Sequence, residues 1–82
     1  MTPREILEAA VASLPEGLPR PEFEPAPGIH LTIYWPYSDC SLTLSDGLDC
    51  WGDFDTGDAP TLRAVAHVLG EVARLLEQER AE

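Results

Sequence analysis

The first stretch of the chain carries apolar residues at the three- and four-residue spacing of an amphipathic helix. These positions are Ile6, Leu7, Ala10, Val11 and Leu14. Just before them, Thr2 and Glu5 have the spacing of a capping box, in which each side chain accepts a hydrogen bond from the amide of the other residue. Pro3 suits the first helical position, where no amide is needed. The pattern predicts a helix over residues 1–14, which Pro15 ends.

Residues 15–28 form a proline-rich segment. Its prolines are Pro15, Pro19, Pro21, Pro25 and Pro27. Proline at this density is incompatible with a helix or a central strand, because it removes backbone donors and restricts the chain. We therefore expect an extended strap, close to polyproline II, with Phe23 holding it to the core. A ligand for a proline-reading domain is the alternative interpretation.

Residues 29–54 alternate between apolar and polar positions, which is typical of half-buried strands. The apolar positions are Ile29, Leu31, Ile33 and Trp35 in the first run, Cys40, Leu42 and Leu44 in the second, and Leu48, Cys50, Gly52 and Phe54 in the third. Turn sequences separate the runs, at Pro36–Asp39 and at Asp46–Gly47. The pattern predicts a three-stranded antiparallel meander with one apolar face.

The loop at Asp46–Gly47 decides the register of the third strand. A two-residue loop would put Leu44 opposite Asp49, whereas a three-residue loop with a glycine bulge puts Leu44 opposite Leu48 and Leu42 opposite Cys50. A slip of one residue would turn the whole strand over. The three-residue loop keeps the apolar residues on one face, so it is the predicted one.

A second amphipathic helix is predicted over residues 59–80, with Asp58 as its cap and Pro60 in its first turn. Its apolar stripe consists of Leu62, Val65, Ala66, Leu69, Val72, Ala73 and Leu76. We expect this helix to lie on the apolar face of the sheet beside the first helix, with Leu69 and Ile33 buried between the layers. The predicted fold of the 82 residues is a single α+β domain of the order α-β-β-β-α.

Composition narrows the classes of function. A domain of this size buries only about 60% of the surface that its unfolded chain exposes, which leaves little room for a deep catalytic pocket. The net charge is −10, from fifteen acidic residues against five arginines. Such a charge repels nucleic acids and anionic membranes and attracts basic partners. The 42 residues between Arg20 and Arg63 contain no Arg or Lys.

Neither the cysteines nor the ends of the chain indicate secretion or a membrane. Cys40 and Cys50 are too few for a disulfide scaffold, and we expect both to be buried free thiols. No signal-peptide pattern and no run of about 20 apolar residues is present. A cytoplasmic protein is therefore expected, with no membrane association.

Candidate chemistry is sparse. His30 and His67 lie on predicted polar faces, and no nucleophile is near them in the sequence. A zinc site needs about four ligands, but Cys40 and Cys50 face the predicted core and the sequence has no CxxC motif. Asp53, Asp55 and Asp58 resemble part of a calcium loop, but Gly57 and Ala64 stand where further ligands are required. We therefore predict no enzyme, no metal and no cofactor, with a loose divalent-cation site as the alternative.

The outward face of the predicted sheet combines aromatic and acidic residues. In the predicted register Ser41 lies between Tyr34 and Trp51, with Thr32, Thr43 and Asp49 in the next row. Exposed Trp and Tyr are favoured anchors of protein interfaces. The candidate partner-binding residues are Glu22, Glu24, Tyr34, Tyr37, Asp49, Trp51, Asp53, Asp55 and Asp58. The alternative is that the first helix, the strap or a second subunit covers this face.

The acidic central segment, the short sheet and the flanking helices resemble the small acidic anti-CRISPR proteins that phages and mobile elements make. Some of these proteins act as decoys that place carboxylates where phosphates would bind. The resemblance implies an inhibitor that occupies the basic nucleic-acid-binding surface of a partner protein without binding nucleic acid itself. The alternative is a homodimeric accessory domain, joined through the outward face of the sheet or through Val68 and Leu75.

Overall fold

Two helices and a four-stranded antiparallel sheet make up the fold in the computed structural model. The structure describes residues 1–24, 30–45, 47 and 49–80, the side chains of His30 and Arg80 excepted. The elements are α1 (Pro3–Ala12), β1 (Glu22–Phe23), β2 (His30–Trp35), β3 (Asp39–Ser45), β4 (Cys50–Asp55) and α2 (Ala59–Arg80), and the strand order in the sheet is β1-β2-β3-β4. The α+β class is confirmed, with four strands instead of three.

The capping box of α1 forms as the sequence predicts. The Glu5 amide donates to Thr2 Oγ1 at 3.1 Å, and the Thr2 amide donates to Glu5 Oε1 at 3.1 Å. Hydrogen bonds to the Glu5 carboxylate from the Thr2 amide, first, and from the Thr2 side chain hold the pKa of Glu5 below its ordinary value of 4.5. Their contribution to stability is therefore present above pH 4.5 and is lost as the pH falls through the lower folded-state pKa. The helix ends at Ala12, two residues before the predicted end.

The proline-rich strap contains the strand that sequence reasoning missed. Glu22 pairs with Tyr34 and Phe23 with Ile33, and the Glu24 amide donates to the Thr32 carbonyl at 2.9 Å. Non-proline residues supply amides here, and an edge position is where a sheet tolerates neighbouring prolines. Phe23 is half-buried against the core, as expected. The predictions for Pro25, Pro27 and Ile29 and for the His30 side chain lie outside the described residues.

The register of β2 with β3 is the predicted one, but that of β3 with β4 is shifted by two residues. Leu44 pairs with Cys50 and Leu42 with Gly52. The Ser45 amide donates to the Asp49 carbonyl at 2.9 Å, and the Asp49 amide donates to Ser45 Oγ at 3.0 Å. These bonds make Ser45 and Asp49 the first pair of the hairpin, whereas the predicted three-residue loop would make Leu44 and Leu48 the first pair. A shift of two leaves every side chain on its predicted face.

Asp46 and Leu48, which the predicted loop and the predicted Leu44 pair included, lie outside the described residues.

The core lies between the helices and the inner face of β2 and β3. Its buried residues are Ile6, Leu7, Ala10, Leu14, Leu31, Ile33, Trp35, Cys40, Leu42, Leu44, Ala64, Val65, Val68, Val72 and Leu75. Trp35 also donates from its indole Nε1 to the Pro19 carbonyl at 3.0 Å, which attaches the strap to the sheet. Burial raises the pKa of the Cys40 thiol, so this cysteine stays protonated and inert.

The buried face of α2 is rotated relative to the predicted stripe. Val68 and Leu75, expected on the flank, are buried, whereas Leu69 is only partly buried and Leu62 is 41% exposed. The cause is the arrangement of the helices: α2 lies mainly against α1, and α1 lies on β2 and β3. Contact with α1 therefore selects a different set of apolar residues than contact with the sheet alone would.

Strand β4 lies beyond the cover that the helices provide. None of its residues is buried, and Phe54 is 44% exposed although it points to the inner face. Cys50 is exposed, contrary to the expected burial, because it lies on this uncovered strand. This uncovered strand carries three of the candidate partner-binding residues: Trp51, Asp53 and Asp55.

Paired leucine substitutions on α2 test the observed face of the helix. Leu75→Ala removes a side chain that is 5% exposed and should cost about 2–5 kcal/mol. Leu62→Ala removes one that is 41% exposed and should change stability by less than about 1 kcal/mol. Urea unfolding followed by circular dichroism measures both. A larger loss for Leu62→Ala than for Leu75→Ala would mean that the helix faces the other way.

Candidate functional site

The outer face of the sheet, turned away from the helices, brings most of the candidate residues together. Alternate residues of a strand point to the same face, so the register defines rows of neighbours across the sheet. One row is Glu22, Tyr34, Ser41 and Asp53, and the row beside it contains Thr32, Thr43 and Trp51. No described element covers this face.

Three carboxylates gather at the β3–β4 side of the outer face. Asp39 and Asp55 are directly opposite each other, and Asp53 precedes Asp55 on the same face of β4. All three are exposed. They border an open groove of about 480 Å³, lined by Tyr34, Ser38, Asp39, Cys40, Ser41, Asp53 and Asp55. We call Asp39, Asp53 and Asp55 the acidic groove.

No cation neutralises the acidic groove within the described residues. Among the described residues, ion pairs join Arg4 to Glu8, Arg74 to Glu71 and the N-terminal amine to Glu79, and all of these lie on or beside the helices. Like charges directly opposite on neighbouring strands destabilise a sheet. The Asp39–Asp55 pair therefore lowers the stability of the isolated protein, and a cationic group placed between the two carboxylates would relieve the repulsion.

Tyr34 forms the centre of the outer face. Its hydroxyl donates to Glu22 Oε2 at 3.0 Å, across the β1–β2 pair. This hydrogen bond and the negative charge of Glu22 raise the pKa of Tyr34 above its ordinary value of 10.0. In the next row, the hydroxyls of Thr32 and Thr43 are 2.8 Å apart. Hydrogen bonds between side chains on neighbouring strands thus hold the polar residues of the outer face in place beside the acidic groove.

The other candidate residues are placed around this centre. Trp51 is 49% exposed on the outer face of β4, and Tyr37 is fully exposed at the β2–β3 turn. Asp49 is exposed just before β4, and Glu24 is exposed just after β1. Asp58 is not part of the outer face, because it precedes α2 and accepts from the Thr61 hydroxyl at 2.9 Å.

Sequence reasoning missed Asp39, which completes the acidic groove. The turn sequence Pro36–Asp39 predicts a turn position for it, yet its spacing from Ser41 and Thr43 places it on the outer face, because β3 begins at Asp39. The alternation of polar residues therefore indicates that Asp39 lies on the outer face. It is missed because the predicted turn extends through Asp39.

The partial resemblance to a calcium loop has no counterpart in the geometry. Asp53 and Asp55 belong to β4, whereas Asp58 is hydrogen-bonded to Thr61 beside α2. Over the ranges that the structure describes, no group of three His, Cys, Asp or Glu residues could hold a metal ion.

His67 has a serine neighbour that the sequence did not reveal. Ser13 Oγ lies 2.9 Å from His67 Nε2 and 2.7 Å from the Ala10 carbonyl. Because the carbonyl can only accept, the serine proton goes to Ala10, and the proton of the second bond must come from Nε2. The histidine is then a donor to the serine and not a base that activates it. The contact links the end of α1 to α2.

Comparison with known proteins gives no relative from which a function could be transferred: no protein-family model, no curated protein and no solved structure matches this chain. In the described part of the chain, no helix has the length and apolar character needed to cross a membrane. The outer face itself is therefore the basis for assigning a function.

The Tyr34–Glu22 hydrogen bond can be tested by titration of Tyr34. In a Tyr37→Phe background Tyr34 is the only tyrosine, because the chain has two. Its phenolate absorbance should appear above pH 10.0, and Glu22→Gln should lower the midpoint by removing the charge that disfavours ionisation.

Glu24→Gln is the matched control, because Glu24 has a weaker effect on the same group and should shift the midpoint less. Since the pKa is raised, the bond stabilises the fold below pH 10 and this contribution is lost as the pH rises through the folded-state value. Equal midpoints with and without Glu22→Gln would exclude the bond.

Proposed function

We propose that this chain is a non-enzymatic acidic binding protein that occupies the basic nucleic-acid-binding surface of a partner protein. In this it would resemble the small acidic anti-CRISPR proteins that act as nucleic-acid mimics. The observation that carries the proposal is the acidic groove: Asp39, Asp53 and Asp55 are exposed, lie on one face and have no cationic neighbour among the described residues. Trp51 and Tyr34 lie on the same face.

The distribution of charge supports a basic partner. A protein that binds nucleic acid neutralises phosphates with Lys and Arg, and carboxylates at comparable positions would interact with the same side chains. All five arginines of this chain lie outside residues 21–62, which contain the whole sheet. The sheet therefore presents a field of one sign, which accelerates encounter with a basic surface and opposes encounter with nucleic acid itself.

The aromatic residues supply what charge alone lacks. Exposed ion pairs contribute little affinity because water screens them, whereas a buried Trp or Tyr at the centre of an interface contributes much more. Trp51 is half-exposed next to the acidic groove, and Tyr34 forms part of its floor. We infer that the aromatic side chains provide the desolvated contact and the carboxylates provide steering and orientation.

A homodimer has less support. One of the two routes is closed, because Val68 and Leu75 are buried in the core. The other route would place two copies of the outer face together, with Asp39, Asp53 and Asp55 of each copy near those of the other. Like charges in an interface cost several kcal/mol.

A charge-matched pair of variants tests the proposal. The outer-face variant combines Asp39→Asn, Asp53→Asn and Asp55→Asn. The control variant combines Glu8→Gln, Glu16→Gln and Glu77→Gln, three exposed acids of the helical side. Both lose three negative charges. Partners are captured from host lysate on the immobilised chain, identified, purified, and measured by displacement of a labelled nucleic acid.

The wild-type chain and the control variant should displace the nucleic acid, with association that slows as added salt shortens the Debye length from about 30 to about 8 Å. The outer-face variant should bind roughly tenfold more weakly, because it loses three exposed ion pairs that are worth about 0.5 kcal/mol each. Equal binding to a partner already saturated with nucleic acid would contradict the proposal.

A further inference from the structure

Strand β4 forms an open edge of the sheet, and the hydrogen-bond pattern shows which of its backbone groups face outward. In an antiparallel ladder, hydrogen-bonded pairs alternate with pairs that are not hydrogen-bonded. The Ser45 amide donates to the carbonyl of Asp49, directly opposite. Asp53 and Asp55 are therefore bonded to β3, and the N–H and C=O groups of Cys50, Gly52 and Phe54 point away from the sheet.

The far side of the sheet gives the same alternation. The Glu24 amide donates to the Thr32 carbonyl, so Thr32 and Tyr34 face β1 while Leu31, Ile33 and Trp35 face β3. The same alternation continues across β3. It again leaves the backbone N–H and C=O groups of Cys50, Gly52 and Phe54 pointing to the open edge. No described element packs along that edge.

The inner face of β4 is apolar and only partly covered. Phe54 is 44% exposed, and Cys50 is exposed. The Phe54 ring lies over Gly52, since a Cβ atom at position 52 would come within 2.6 Å of Phe54 Cζ. The same Cβ atom would come within 2.5 Å of the Ser41 carbonyl oxygen, so a glycine is required at this position.

The charges of Asp53 and Asp55 on the outer face determine which kind of strand could pair with the open edge of β4. A second copy of β4, paired antiparallel about a two-fold axis, would bring Asp53 and Asp55 close to the same residues of the other copy. Like charges on neighbouring strands are destabilising, and inward or edge charges are a known protection against self-association. A strand with Lys or Arg on its outer face would meet Asp53 and Asp55 with favourable charge.

We propose that β4 accepts an extended segment of the partner protein as a fifth, antiparallel strand, in which basic residues alternate with apolar ones. The basic residues lie on the outer face beside Asp53 and Asp55, and the apolar residues lie on the inner face beside Phe54 and Cys50. Backbone hydrogen bonds to Cys50, Gly52 and Phe54 provide affinity, and the side chains provide selectivity. This inference rests on the proposed function, because it specifies how the basic partner is held.

A heptapeptide of alternating Lys and Val, with Lys at both ends, is the probe. In an antiparallel pair the amides that face β4 belong to the residues on the inner face, here the valines. N-methylation of the valine amides should therefore abolish binding, whereas N-methylation of the lysine amides, which point away, should not. A peptide of the same composition with the lysines grouped together should bind more weakly.

Amide hydrogen exchange of the full chain, measured by NMR, is the structural readout. The amides of Cys50, Gly52 and Phe54 should exchange rapidly in the free protein and slow about tenfold or more with bound peptide, since each gains a hydrogen bond or a neighbouring strand. Asp53→Asn with Asp55→Asn should weaken the peptide, and the Glu8→Gln, Glu16→Gln, Glu77→Gln variant should not.

The outcomes separate this inference from the proposed function. Peptide binding that is equal for both N-methylated forms and leaves the three amides unprotected would overturn strand addition, while docking on the outer face would stand. No binding of any peptide would also overturn strand addition. Protection of the three amides together with failure of the nucleic-acid displacement experiment would preserve the edge site and remove the mimic.

Discussion

The alternation of side chains along β2 and β3 is the constraint on which the rest of the molecule depends. It places Leu31, Ile33, Trp35, Leu42 and Leu44 on one face, where all are buried. Burial of a large apolar side chain is worth about 1.5–3 kcal/mol, and a domain this small has few such residues to spare. The same alternation puts Thr32, Tyr34, Asp39, Ser41 and Thr43 on the opposite face, which is polar.

The width of the helical layer then determines what remains exposed. Helix α1 covers β2 and β3, and α2 lies mainly against α1, which leaves β4 without a buried residue. The uncovered strand carries Asp53 and Asp55 on one face and Phe54 on the other, with an open backbone edge between them. The candidate binding surface is thus a consequence of a core that ends at β3. The residues of β4 that could bind a partner are different from the buried residues that stabilise the fold.

Features governed by near neighbours could be predicted from the sequence, and features governed by distant contacts could not. The capping box of Thr2 and Glu5 and the pairing of Tyr34 with Ser41 follow from local spacing and are confirmed. Strand β1 has only two residues and no pattern of its own, so nothing local indicates that it pairs with β2. A two-residue shift of β4 leaves the alternation unchanged and is invisible to it. Apolar residues surround much of α2, and only its contact with α1 distinguishes Leu75 from Leu62.

The register of β4 is the claim on which both the acidic groove and the open edge depend, and NMR measures it directly. Pairs that are not hydrogen-bonded bring opposite Cα atoms within about 4.5 Å, which gives strong Hα–Hα nuclear Overhauser effects. The structure predicts these effects between Leu42 and Gly52 and between Cys40 and Phe54. An effect between Leu42 and Cys50 instead would contradict it, because Asp55 would then no longer stand opposite Asp39.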